Sequence, residues 1–133
     1  MLRSLQCVFA VWMCLMLVAC QNGRAAPKKY AVSGTVTVDG KPMSGNGIIY
    51  FKTIATGSFD ALDIKDGKYS GSAEPGERRV EIVAYETKMT DIGGMKGESQ
   101  IALIPARYNL NSTLTATVTA EGPNEFPFEL VSK

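Results

Sequence analysis

The residues suited to chemistry in this chain are few, and histidine is absent from the sequence. That absence removes the commonest general base, the commonest zinc ligand and the imidazole of Ser-His-Asp or Cys-His sites. Three aspartates, Asp60, Asp63 and Asp66, are spaced by threes in DALDIKD, and carboxylate oxygens of this kind can hold Ca²⁺. On a strand, however, residues three apart point to opposite faces. Asp66 also belongs to a turn, and the bidentate glutamate that closes an EF-hand loop is missing, so no metal site is expected. Lys41 or Lys52 with Asn109 offers an amine and a carboxamide for a covalent crosslink, but no motif sets an acid beside them. Arg107, next to Tyr108, is either an anion-binding guanidinium or one half of a surface ion pair. No Gly-rich phosphate loop follows a strand, and no nucleophile is paired with a base. The chain therefore reads as a non-enzyme without a cofactor.

One thiol stands apart because of what precedes it. Arg3 is the only charge before a neutral apolar stretch, Val8 to Ala19. As a helix that stretch reaches roughly 18 Å, short of the ~30 Å hydrocarbon layer. It suits the core of a signal peptide better than a transmembrane span. Its place at the N-terminus and its even hydrophobicity all round argue against a buried helix of the folded domain. Ordinary signal cleavage after Ala26 would put Arg24 at the third position before the cut and Pro27 just after it, both unsuitable.

Leu17-Val18-Ala19-Cys20 instead resembles the lipobox of bacterial lipoproteins. The resemblance implies cleavage between Ala19 and Cys20, a diacylglycerol on the Cys20 sulfur and acylation of the freed amine. A thiol, partly thiolate near neutral pH, is the nucleophile such a lipid transfer needs. At ~0.8 kcal/mol per buried methylene, two or three chains hold the protein at a membrane. Cys7 and Cys14 would leave with the signal, so no cysteine remains for a disulfide or a metal. The chain then divides into a signal peptide at 1–19, a lipidated cysteine with a flexible tether at 20–29 and one domain at 30–133. Lys28 and Lys29 of the tether are either solvated or in touch with anionic headgroups. In the best-known sorting rule an Asp after the cysteine retains a lipoprotein at the inner membrane. Gln21 stands there, which favours the outer membrane, on a periplasmic or a surface face.

The elements that carry these residues read as strands. From Tyr30 the hydrophobic period is two: Val32, Gly34, Val36 and Val38 share one face. Asp39-Gly40 and Asp66-Gly67 are tight-turn signals. GIIYFK, from Gly47 to Lys52, is apolar on both faces, as in a central strand. Ala61 to Ile64 and Lys68 to Ser72 flank the second turn. Val80, Ile82 and Ala84 point inward from Arg78 to Tyr85, opposite Arg79 and Glu81. Leu114, Ala116 and Val118 alternate with threonines. Phe126, Phe128 and Leu130 close the chain, with Pro127 marking an edge strand. Seven short strands and no helix predict an all-β, antiparallel sandwich around one core. Lys and Arg total 14 against 13 Asp and Glu, which gives no basic footprint for nucleic acid.

Three strings, VSGTVTVDGKPMSGNGIIYF, DGKYSGSAEPGERRVEI and IPARYNLNSTLTATVTAEGPNEFPFEL, make the chain similar to small bacterial lipoproteins with a carboxypeptidase-regulatory-like domain. The resemblance implies the transthyretin-like, or prealbumin-like, fold, a seven-stranded Greek-key sandwich. Some transthyretin-like proteins hydrolyse an oxidised purine with histidines, an arginine and a C-terminal Tyr-Arg-Gly-Ser. This chain has no histidine and ends FELVSK, so that activity is not expected.

Glu86 to Gln100, ETKMTDIGGMKGESQ, joins two strand-like regions and shows no clear period. It is predicted to be a long loop, a class that is often functional or disordered. Met89, Gly93, Gly94, Met95 and Lys96 are its candidate partner-binding residues, since methionines on a flexible backbone adapt to a partner. A plain mobile loop is the alternative. Two functions follow. One is a non-catalytic, lipid-anchored envelope module that binds another envelope protein. The other is a small-ligand or carbohydrate binder using the sandwich loops, disfavoured because Trp12, the one tryptophan, lies in the signal.

Overall fold

A computed structural model describes residues 25–133, so Ala19 and Cys20, which carry the cleavage and lipidation reading, lie outside the described residues. The strands are β1 (Tyr30–Val38), β2 (Lys41–Pro42), β3 (Asn46–Lys52), β4 (Phe59–Lys65), β5 (Lys68–Ala73), β6 (Gly76–Ile92), β7 (Met95–Ala102), β8 (Leu114–Val118) and β9 (Phe128–Leu130). A 3-10 turn at Ala106–Tyr108 is the one helical element among the described residues. Strand order is β2-β1-β5-β4-β3-β6-β7, with β8 also on β6 and β9 also on β1. Every strand pairing is antiparallel except β1 with β9.

The sheet is all-β and curled. β4 pairs with β3 along its whole length and β5 with β1, yet β4 and β5 share only the registers Ile64↔Tyr69 and Lys65↔Lys68 beside their turn. The sheet therefore bends there and closes on its own inner face. Period-two alternation sends Val32 and Val36, Ile49 and Phe51, Val80 and Ile82, and Ala116 and Val118 into that interior. Both Asp-Gly turns form with positive φ at each residue, as tight hairpin geometry requires: 52° and 77° at Asp39-Gly40, 50° and 74° at Asp66-Gly67.

Gly34 has a different reason to be glycine. A Cβ there would lie 2.2 Å from the Phe126 carbonyl oxygen and 2.6 Å from the Tyr69 hydroxyl. The missing side chain lets the last segment approach β1, and the Tyr69 hydroxyl donates to the Phe126 carbonyl at 2.6 Å. Burial pushes the Tyr69 hydroxyl pKa up, which keeps it a donor.

The seven strands predicted from alternation are all present, and two more join them. β2 is a two-residue edge against β1. β7 corrects the loop predicted at 86–100: β6 runs on to Ile92, turns at Gly93-Gly94 and pairs back from Ile92↔Met95 to Tyr85↔Ala102. The residues of this ribbon are exposed apart from half-buried Thr90 and Ser99. With neither face buried, nothing selects an apolar alternation, so the period-two signal vanishes while the backbone ladder remains.

Candidate functional site

The aspartate triplet is not brought together. Asp60 is buried and accepts from Arg78 Nη2 at 3.1 Å, Lys29 Nζ at 2.6 Å and the Glu74 amide at 2.8 Å. Asp63 is exposed on β4, and Asp66 sits in the turn. Among the described residues no group of three potential ligands converges to hold a metal ion. Lys29, in the segment before β1, is paired with Asp60.

Lys52 is engaged as well. Its Nζ lies 2.6 Å from Glu81 Oε2, and Arg79 pairs with the other carboxylate oxygen. Burial works to raise the Glu81 pKa, but the hydrogen bonds and charges of Lys52 and Arg79 outweigh it and hold the carboxyl below its usual range. Arg107 is turned toward its neighbour's ring and the C-terminal segment. Its guanidinium lies 4.9 Å from the Tyr108 ring centroid and donates to the Val131 carbonyl at 2.6 Å and to that of Lys133. The Tyr108 hydroxyl accepts from the Val131 amide at 3.1 Å. This pair fastens the C-terminal segment. Asn109 ends the same 3-10 turn and Lys41 is exposed on β2, and among the described residues neither has an acid bonded to it.

Met89, Gly93, Gly94, Met95 and Lys96 do come together, on the β6–β7 arm. β3 pairs with β6 only as far as Gly47↔Ala84, so beyond Tyr85 β6 keeps only β7 as a neighbour. The two-residue turn has φ of 65° at Gly93 and 87° at Gly94, and the Asp91 carboxylate accepts from the Gly94 amide at 2.9 Å. Directly across from each other at the tip, Ile92 and Met95 share one face and are 78% and 79% exposed. Met89 and Lys96 lie on the opposite face, by alternation along the ladder. The arm's position follows from the chain path. Tyr30 opens β1 opposite Ala73, next to the start of β6, whereas the arm leaves from the far end of β6. The chain thus enters at one end of the domain and the arm projects from the other.

At the arm's foot the outer face of β4, β3 and β6 carries Ile48, Tyr50, Ala61 and Val83 among charged side chains. Ile48 is flanked by Asp63 and Val83, and Tyr50 by Ala61 and Glu81. Tyr85 flanks this face where β6 leaves the sheet, and a cavity of about 460 Å³ opens among Tyr85, Ile48, Val83, Tyr50, Asp63 and Lys65. Tyr50 and Phe59 meet edge to face with centroids 5.7 Å apart.

Two signals pointed to these features. Gly-Gly between two polar runs is a hairpin signal, and GIIYFK is apolar on both faces. With Val80, Ile82 and Ala84 inward, Val83 and Tyr85 must face out. Among the described residues no helix is long and apolar enough to cross a membrane. No protein-family model matches the chain, and neither curated protein sequences nor solved structures show a match to it.

Proposed function

We propose that the chain is a non-catalytic, lipid-anchored protein of a bacterial envelope whose β-domain presents the β6–β7 arm to another envelope protein. The single observation behind this reading is the arm itself. It is a two-stranded ribbon with an apolar tip, leaving the domain at the end opposite to the tether. Two-stranded ribbons are marginal alone and gain stability from a covering partner. The arm's acids and bases are mixed, Glu86, Asp91 and Glu98 with Lys88 and Lys96, which suits a protein surface rather than a polyanion.

The anchor is Cys20, cleaved from Ala19, within the lipobox-like Leu17-Val18-Ala19-Cys20, and Gln21 favours the outer membrane. The domain is of the carboxypeptidase-regulatory-like, transthyretin-like kind, a Greek-key sandwich. What supports this is the parting of β4 from β5, which divides the curled sheet into β8-β6-β3-β4 and β5-β1-β9 halves. A tether of ten residues has a root-mean-square reach of roughly 18 Å, which leaves the arm clear of the bilayer.

Photo-crosslinking tests the arm. A crosslinker at Met89 or Met95 in intact cells is expected to join the same envelope protein, and one at Glu129 on β9 is not. Adducts from β9 alone, or none from the arm, overturn the reading. The anchor has a separate test. Cys20→Ala is expected to lose lipid mass and membrane retention, and unchanged fractionation overturns it.

A further inference from the structure

We propose that the groove at the foot of the arm binds a neutral saccharide bearing N-acetyl groups. The argument rests on different residues from the arm's tip and does not depend on the lipid anchor. Tyr85 is half exposed and stands at the wall of a cavity of about 460 Å³, within the ~300–1,000 Å³ span of small-molecule sites. An aromatic face carries negative potential and attracts the polarised C–H face of a pyranose. Tyr50 forms a second aromatic wall, held in orientation by Phe59.

The floor between them is aliphatic. Ile48 and Val83 are cross-strand partners, both half-buried, and their surface suits a methyl group rather than a hydroxyl. The rim is polar and mixed. Asp63 offers acceptors, Lys65 donors, and Asn46, paired with Lys65 across the ladder, offers both. One acid and one base cancel, so an ionic ligand gains little here, whereas a ring of hydroxyls finds donors and acceptors. An acetamido group matches both features at once: its methyl against Ile48 and Val83, its amide against the Asn46 carboxamide.

The test is calorimetric titration of the full chain, kept in a zwitterionic, sugar-free detergent, with tetramers of N-acetylglucosamine and of glucose. Saturable binding of the acetylated tetramer is expected, with the plain glucose tetramer weaker. Tyr85→Ala is expected to weaken binding ~tenfold, as is Asn46→Ala, while Glu129→Ala, exposed on β9, leaves it unchanged. Circular dichroism confirms that each variant is folded. The proposal is overturned if the acetylated tetramer gives no saturable heat, or if the glucose tetramer binds as tightly. Undiminished binding in both groove variants overturns it too, as does sedimentation showing a dimer in which the groove is buried by a second copy.

Discussion

The Arg78 guanidinium lies 3.1 Å from the Asp60 carboxylate in the interior of the domain, with Arg78 only 1% exposed. Arg78 occupies the first inward position of β6 and shares its face with Val80, Ile82 and Ala84. The same guanidinium reaches the Glu74 carboxylate at 3.1 Å and, through Nε, the Glu74 carbonyl at 3.1 Å, and it donates to Thr53. This satisfied cluster joins the ends of β3, β4, β5 and β6 where the chain enters the domain.

Removing one partner strands the other charge. Arg78→Met leaves the buried Asp60 carboxylate with Lys29 as its one remaining cation among the described residues, and is expected to cost about 3 kcal/mol in urea unfolding. Asp60→Asn together with Arg78→Met should cost less than the two single changes added. Strict additivity would show that the pair is not coupled.

Glu81 contributes to the acid dependence of stability. Its folded pKa is held below the ordinary 4.5 by Lys52 and Arg79 despite burial. The unfolded chain therefore takes up the proton first. The stabilisation is complete above the ordinary value and is lost as pH falls through the lower, folded one. Thermal unfolding from about pH 5 to about pH 3 should show Tm falling more steeply in the wild type than in Glu81→Gln. Parallel curves would mean that other carboxyls carry the acid response.

Gly34 predicts a contrast between two glycines. Gly34→Ala drives a Cβ into the Phe126 backbone and against the Tyr69 hydroxyl, and is expected to cost about 1–3 kcal/mol. Gly97→Ala, on the arm, meets nothing within 4 Å and should stay within about 0.5 kcal/mol. Urea denaturation of both variants measures the difference, and equal stabilities would mean that β1 and Phe126 can part without cost.

What could be read from the sequence tracks what is buried. β1, β6 and β8 alternate because each has one face against the core, and the Asp-Gly turns announce themselves because both residues need positive φ. Arg78 was legible as part of β6 but not as core, because its burial depends on Asp60 and Glu74, brought to it by other segments. The arm was legible only in its glycines. Its ladder is made by backbone groups that every sequence carries, and its side chains face solvent on both sides. The groove was half legible. The two-sided apolarity of GIIYFK implied an outer apolar face, but which polar residues rim it follows from register, with Asp63 beside Ile48 and Lys65 beside Asn46.

The arm should behave as a unit separable from the body. Its turn needs positive φ at Gly93 and Gly94, where β-branched residues are strained. Changing both glycines to valine should open the ladder from the Ile92↔Met95 end inward, since the arm has no core contact to hold it. Hydrogen exchange is the suitable measurement. Amides of Thr87 to Ile92 should exchange faster in the variant, while those of Val80 and Ile82, in the buried half of the same strand, should not change. Because β3 and β8 flank only that first half of β6, body Tm should stay within the effect of a surface change. Crosslinking from Met89 should fall with the arm's order, because both faces of the tip depend on the turn's register. Loss of protection at Val80 as well would show that arm and body fold as one cooperative unit.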